Sequence, residues 1–202
     1  CSCQFFIFCI SIRDTVVFRS ELSILKELQS SPMWVPGVEP ADGHALMRGR
    51  FELSGPQAVA IRHVGASMYR IWVDGEILDE GPARFDADYP EWLVSRTTLA
   101  AGAHVVAVHG HSHGVTTRLM SEEIPGFLWG IVEGEDGSVI PVTWKGLNSV
   151  AYQKTRRRLG CVLGPVEWCD TRLLPEGWKG TDFDDSGWCG LVRVELNSPP
   201  AA

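Results

Sequence analysis

From about residue 45 onward, apolar and polar positions alternate with a period of two, as half-buried strands require. The stretch "LMRGRFEL" (46–53) alternates and stops at Ser-Gly-Pro, and "AVAIRHV" (58–64) alternates into Gly-Ala-Ser. "MYRIWVD" (68–74) puts Tyr69, Ile71 and Val73 on one face and Arg70, Trp72 and Asp74 on the other. Asp74-Gly75 suits a two-residue type I′ turn, in which both residues take positive φ. "EILDE" returns along that strand, and Gly81-Pro82 ends it. "WLVSRTTL" (92–99) turns through "AAGA" into "HVVAVHG" (104–110). "GFLWGIVEGEDGSVIPVTW" (126–144) reads as a second hairpin around Asp136-Gly137. "DFDDSGWCGLVRVEL" closes the pattern with an acidic turn, an anchoring Trp188 and a last strand. Many short strands, with no helical pattern of useful length among them, predict an all-β sandwich or jelly roll over residues 45–196.

The first 44 residues follow other rules. Residues 15–30 carry Leu22, Leu25 and Leu28 at helical spacing, which allows one short amphipathic helix near the N-terminus. "SSPMWVPGVEPADG" (30–43) is rich in Pro and Gly, so residues 32–44 read as a linker. Residues 1–31 are then an N-terminal segment of uncertain standing, and 197–202 a tail or truncated linker. The opening "CSCQFFIFCISIRD" has no initiating Met, which points to a fragment. Its apolar run is too short to span a bilayer and lacks the basic start and cleavage site of a secretory signal. No membrane partner is expected, and a cytoplasmic location is favoured over a secreted one.

Composition refines this only in places. The 202 residues are 45% hydrophobic and 21% charged, ordinary for a chain that buries a core. A net charge of −7 argues against nucleic acid, and the basic run "KTRRR" (154–158) reads as a solvated face. Six cysteines occur without any C-x-x-C pair, so zinc-ribbon and thioredoxin chemistry is excluded while disulfides are neither required nor forbidden. Eight Trp are many for this length, and a flat indole can stack on a pyranose face.

The search for a reactive constellation returns mostly turns. Glu122/Glu123, Glu133/Glu135/Asp136 and Asp182/Asp184/Asp185 offer carboxylate pairs, but each lies in a polar, turn-like stretch rather than a setting that would raise one pKa. Counted as an EF-hand loop, the last group places Arg193 where a bidentate Glu is required. "HGHSHG" (109–114) alternates His109, His111 and His113, and neutral imidazoles ligate zinc or nickel. Gly110, Ser112 and Gly114 nevertheless suggest that the strand is ending, and no carboxylate or Cys stands close in sequence. The stretch is read as a polar strand end, with no metal and no cofactor assigned. No G-x-S-x-G elbow, G-x-G-x-x-G or P-loop occurs.

The ordered set of landmarks resembles the N-terminal jelly-roll region of bacterial α-L-rhamnosidases. The set runs Tyr69, Asp74-Gly75, Gly81-Pro82-Ala83-Arg84, Leu99 to His104, "VTWKG" (142–146), "EWCDTR" (167–172), "GW" (177–178) and "FDDSGW" (183–188). His104 stands where that family has Asn, which removes a turn-capping amide. The resemblance implies a jelly-roll, galactose-binding-like β-sandwich, and an accessory, non-catalytic segment of a glycoside hydrolase. Such a segment docks to and shapes a catalytic domain of the same polypeptide, a helical toroid that this chain does not contain. It also implies a rhamnose-containing glycan as partner. On this reading Trp72, Arg84, Asp86 and Trp92 are the carbohydrate-contacting candidates: two indoles to stack, and a donor and an acceptor to bracket a diol. Two alternatives stand beside it, a free-standing carbohydrate-binding module and the sugar-binding domain of a β-galactosidase-type enzyme, which shares the closing "D-D-S-x-W".

Overall fold

The computed structural model describes residues 31–86, 91–118, 120, 123–154 and 157–196. The expected N-terminal helix, Asp88 and Glu122 lie outside the described residues. Twelve strands form two antiparallel sheets: β1 (Met33–Trp34), β2 (Gly43–Leu53), β3 (Gln57–Ala66), β4 (Met68–Val73), β5 (Glu76–Gly81), β6 (Leu93–Leu99), β7 (Gly102–Ser112), β8 (Phe127–Glu133), β9 (Val139–Ile140), β10 (Thr143–Asn148), β11 (Cys189–Gly190) and β12 (Val192–Arg193). One sheet is ordered β12-β1-β8-β3-β6, with β9 on β8, and the other β11-β10-β2-β7-β4-β5. Among the described residues the only helix is a single 3₁₀ turn, Thr171–Leu173. The described residues form an all-β sandwich.

The alternation explains which side chains meet between the sheets. Met47, Tyr69, Ile71, Val73, Val106 and Val108 from one sheet pack against Val59, Ile61, Leu128 and Val132 from the other. Each such burial is worth about 1.5–3 kcal/mol. The β4–β5 hairpin turns at Asp74 (φ 50°) and Gly75 (φ 93°), as the sequence predicts. His104 compensates for the amide it replaces. Its Nδ1 lies 2.6 Å from Asp74 Oδ2 and its Nε2 3.0 Å from Ala100 O, so the imidazole ties two turns together.

Two expectations change. Residues 32–44 are not a free linker, because β1 pairs with both β8 and β12 while Trp34 and Val35 enter the core. Pro and Gly here mark turns between packed residues, not an absence of packing. Strand β7 also continues two residues past Gly110, to Ser112. Gly110 sits where a Cβ would meet the Trp34 ring at 2.7 Å, so its role is clearance for a core indole and not termination.

The outer face of the second sheet is covered by the irregular segment that follows β10. Leu46, Trp72 and Ala107 on the sheet pack against Trp178, Tyr152, Leu174, Phe183 and Trp188 of that segment. A buried charge fastens it. Arg48, fully buried on β2, donates through Nε to Asp185 Oδ2 at 3.0 Å and through Nη1 to Gly180 O at 3.0 Å and to Trp178 O. Arg50 Nε reaches the same carboxylate oxygen at 2.7 Å, and Lys145 Nζ donates to Asp185 O at 3.0 Å. Asp185, read from sequence as a turn residue, is therefore the anchor of the cover.

Burial pushes the Asp185 carboxyl up, but the bonds from Arg50 and Arg48 outweigh it and hold it below the usual carboxylate range. A depressed carboxyl stabilises the fold fully above about pH 4 and loses that contribution as pH falls through its folded value. Asp185→Ala leaves Arg48 buried without its counter-charge and is expected to cost about 3–5 kcal/mol in urea unfolding. The double variant Arg48→Met/Asp185→Leu is expected to cost less than that single change. An Asp185→Ala loss under about 1 kcal/mol contradicts the anchoring role.

Candidate functional site

Three groupings on the sandwich have the chemistry to bind something. The first lies on the outer face of the second sheet, at the end opposite Asp185. Because β2 pairs His44 with His111 and β4 pairs Arg70 with His109, both β7 histidines face away from the sandwich core. His44 and His111 stack with ring centroids 3.9 Å apart, and Tyr152 stacks on His44 at 4.2 Å. His44 Nδ1 is 3.1 Å from His109 Nε2, and His109 Nδ1 is 3.4 Å from the Tyr152 hydroxyl. His111 Nε2 lies 3.0 Å from Oδ1 of Asp42, a buried carboxylate just before β2.

Burial, reinforced by His111 and His109, pushes His44 down to about 2. Burial and then His111 likewise lower His109 to about 3 and His113 to about 4. At neutral pH all three are uncharged imidazoles with lone pairs to offer. A shallow cleft lined by Met68, Arg70, Glu80, His109, His111 and Glu167 opens beside them. Sequence reasoning found His109, His111 and His113 but missed Asp42 and His44. Both precede the first recognised strand, and only the β2–β7 register brings them to the cluster.

The second grouping joins the two sheets, linking β3 and β6 to the β4–β5 hairpin. His63 Nδ1 is 2.8 Å from the Tyr69 hydroxyl and its Nε2 3.2 Å from Ser95 Oγ, which donates to Asp79 Oδ2 at 2.6 Å. A serine, a histidine and an aspartate thus meet. However, the Asp79 carboxylate accepts from the serine instead of orienting the imidazole, and His63 is fully buried. The arrangement is a satisfied polar link between sheets and not a nucleophile with its base.

The third grouping contains most of the carbohydrate candidates. Arg84 and Asp86 are exposed on either side of Phe85, whose ring belongs to a cluster with Val64, Phe127, Trp129 and Trp92. Trp92 is half-buried and meets Trp129 edge-on, with centroids 5.3 Å apart. Phe85, between Arg84 and Asp86 in the chain, thus shares an apolar cluster with Trp92. Trp72 is elsewhere. It faces outward from β4 but is buried under Trp178 (centroids 5.7 Å apart), and the Lys179 ammonium sits 4.0 Å from its ring centroid. As for the acidic turns, Asp136 accepts from Ser138 and Asp184 from Ser186, so they close Asx turns. Among the described residues, Cys161, Cys169 and Cys189 are free thiols.

No protein-family model matches this sequence, and no curated protein matches it either. Solved structures do match its fold. A GH78-family rhamnosidase of Bacillus sp. GL1 superposes with a TM-score of 0.70 at 22% identity, over 84% of this chain and 19% of the enzyme. The α-L-rhamnosidase from Dictyoglomus thermophilum gives 0.66 at 18% identity, over 86% of this chain and 22% of the enzyme. A lectin from Pleurotus ostreatus, solved in complex with GalNAc, gives 0.55 at 15% identity over 85% of this chain and 46% of the lectin. At these identities the shared feature is the β-sandwich itself. The chain spans about a fifth of the length of the rhamnosidases it matches.

The covered position of Trp72 has a measurable consequence. Trp178→Ala is expected to destabilise the chain by about 3–5 kcal/mol, as truncation of a buried indole does. The same change uncovers Trp72, so tryptophan emission is expected to shift to the red at urea concentrations where the variant is still folded. An unshifted spectrum with unchanged stability shows that the cover does not seal this ring.

Proposed function

We propose that this chain is a non-catalytic accessory β-sandwich of an α-L-rhamnosidase-like glycoside hydrolase, docking against a catalytic domain that lies outside it. The observation that carries this reading is the fold match, which takes in 84% of this chain but only 19% of the Bacillus rhamnosidase. Two features of the surface support it. The turn carboxylates Asp136, Asp184 and Asp185 are spent on serine and arginine partners. The cover segment also exposes Val150, Leu159, Val162, Leu163, Trp168 and Leu173, apolar side chains that a docked domain would cover.

A carbohydrate-binding module is the second reading, favoured by the lectin's fold and by the Trp92–Trp129 pair in the same cluster as Phe85, the residue between Arg84 and Asp86. An indole, a guanidinium and a carboxylate are the elements of a sugar subsite. On this reading the ligand is a glycan containing rhamnose. Trp72 contributes only if the cover lifts.

Sedimentation and a sugar titration of the full chain, followed by the indole N–H signals, separate the two. For the accessory role we expect a folded protein whose self-association rises with concentration and falls in Leu159→Ser/Trp168→Ser, with no saturable shift from L-rhamnose or other simple sugars at millimolar levels. Saturable binding that Trp92→Ala or Arg84→Ala abolishes overturns that role in favour of sugar recognition.

A further inference from the structure

We propose that Asp42, His44 and His111 form a binding site for a divalent transition-metal ion of the zinc class, independent of any sugar or docking surface. One ligand atom from each residue lies within 4.8 Å of the other two, and all three side chains are buried. Asp42 Oδ1 is 3.0 Å from His111 Nε2 and 3.8 Å from His44 Nε2. Ligands held about 2 Å from a tetrahedral ion stand roughly 3.3 Å apart, so the set is close enough to share one ion once the stacked His44 and His111 rings turn to converge their lone pairs. Two imidazoles and one carboxylate suit zinc or a neighbouring first-row ion, and leave out calcium, which takes six to eight oxygens.

His44 supplies the independent observation. Its side chain is 2% exposed, yet Nε2 is buried without a hydrogen-bond partner and is directed toward the Asp42 carboxylate. Neither neutral tautomer resolves this. With the proton on Nδ1, donated to His109 Nε2, a bare lone pair on Nε2 faces a carboxylate oxygen. With the proton on Nε2, the N–H stands 3.8 Å from Asp42 Oδ1, beyond hydrogen-bond reach. A cation beside Asp42 Oδ1 gives the His44 Nε2 lone pair its partner. It fixes the first tautomer, in which His44 Nδ1–H donates to His109, and His109 Nδ1–H to the Tyr152 hydroxyl. This relay is the outer support that metal-ligating histidines characteristically have.

His111 ligates as its Nδ1–H tautomer, with the Nε2 lone pair on the ion, so the neutral imidazole binds without losing its proton. The cleft beside His111 gives an approach from solvent past Glu167 and Glu80, and Arg70 at its wall is already paired with Glu80 at 2.7 Å. Three protein ligands leave a coordination position for water.

The test uses the full chain, stripped with a chelator and titrated with Zn²⁺ and Co²⁺, with Ca²⁺ as the control. The expected result is one transition-metal ion per chain and no calcium heat. The Co²⁺ complex is expected to show visible ligand-field bands without a thiolate charge-transfer band, which separates this site from the free cysteines. His44→Gln and His111→Gln are expected to weaken binding by more than about 100-fold, and His109→Phe by about 10–100-fold. No stoichiometric binding, a thiolate band, or affinity unchanged in His44→Gln and His111→Gln overturns the site. If the variants fail to fold, paramagnetic shifts of the His44 and His111 ring protons in the Co²⁺-loaded natural chain decide the matter. Their absence overturns the proposal.

Discussion

The Arg48–Asp185 contact sets how half of this molecule is built. A sandwich of two sheets buries only one face of each, and here the outer face of the second sheet carries Trp72, Leu46 and Ala107, which also need cover. The cover is a segment with almost no regular structure, so it has few backbone ladders to hold it in place. A guanidinium reaching Asp185, Gly180 O and Trp178 O fixes three points of the segment at once. Its rigid planar fork holds several donors in fixed directions, which suits acceptors spread along the segment. Desolvating that charge is costly, and Arg50 and Lys145 share the same carboxylate and help to offset it.

With the cover anchored at one end, the outer face divides along its length. Next to Asp185 lie the Trp72–Trp178 contact and the Phe183 and Trp188 rings. Beyond them the cover carries Tyr152 onto the imidazoles of His44 and His109. The chemistry of the histidines depends on this burial, since exposed imidazoles would titrate near neutrality and rotate freely. The same burial removes Trp72 from the surface.

The hairpin at residues 69–86 shows how one local pattern serves long-range order. Its Asp-Gly turn is held by His104 from the neighbouring turn, and Tyr69 reaches across the core to His63 on the other sheet. A Cβ on Gly81 would strike the Tyr69 ring at 2.3 Å, so the glycine before Pro82 is needed for that inward aromatic as well as for the turn. What reads locally as a hairpin is therefore also a connection between the sheets.

Strand positions, turn residues and the inward set Tyr69, Ile71 and Val73 were legible from the sequence, because period two and positive-φ turns are properties of neighbouring residues. So was the sandwich class. Three features were decided by tertiary structure alone. Gly110 looked like a strand end because its partner, Trp34, is 76 positions away. Asp185 looked like a solvated turn because nothing near it in sequence reveals Arg48 on β2. The third is the histidine cluster, which seemed to lack a carboxylate because Asp42 and His44 reach it only through the eleven-residue pairing of β2 with β7. Sequence patterns report what a residue does to its own backbone, while ion pairs and metal ligands depend on distances that only strand register sets.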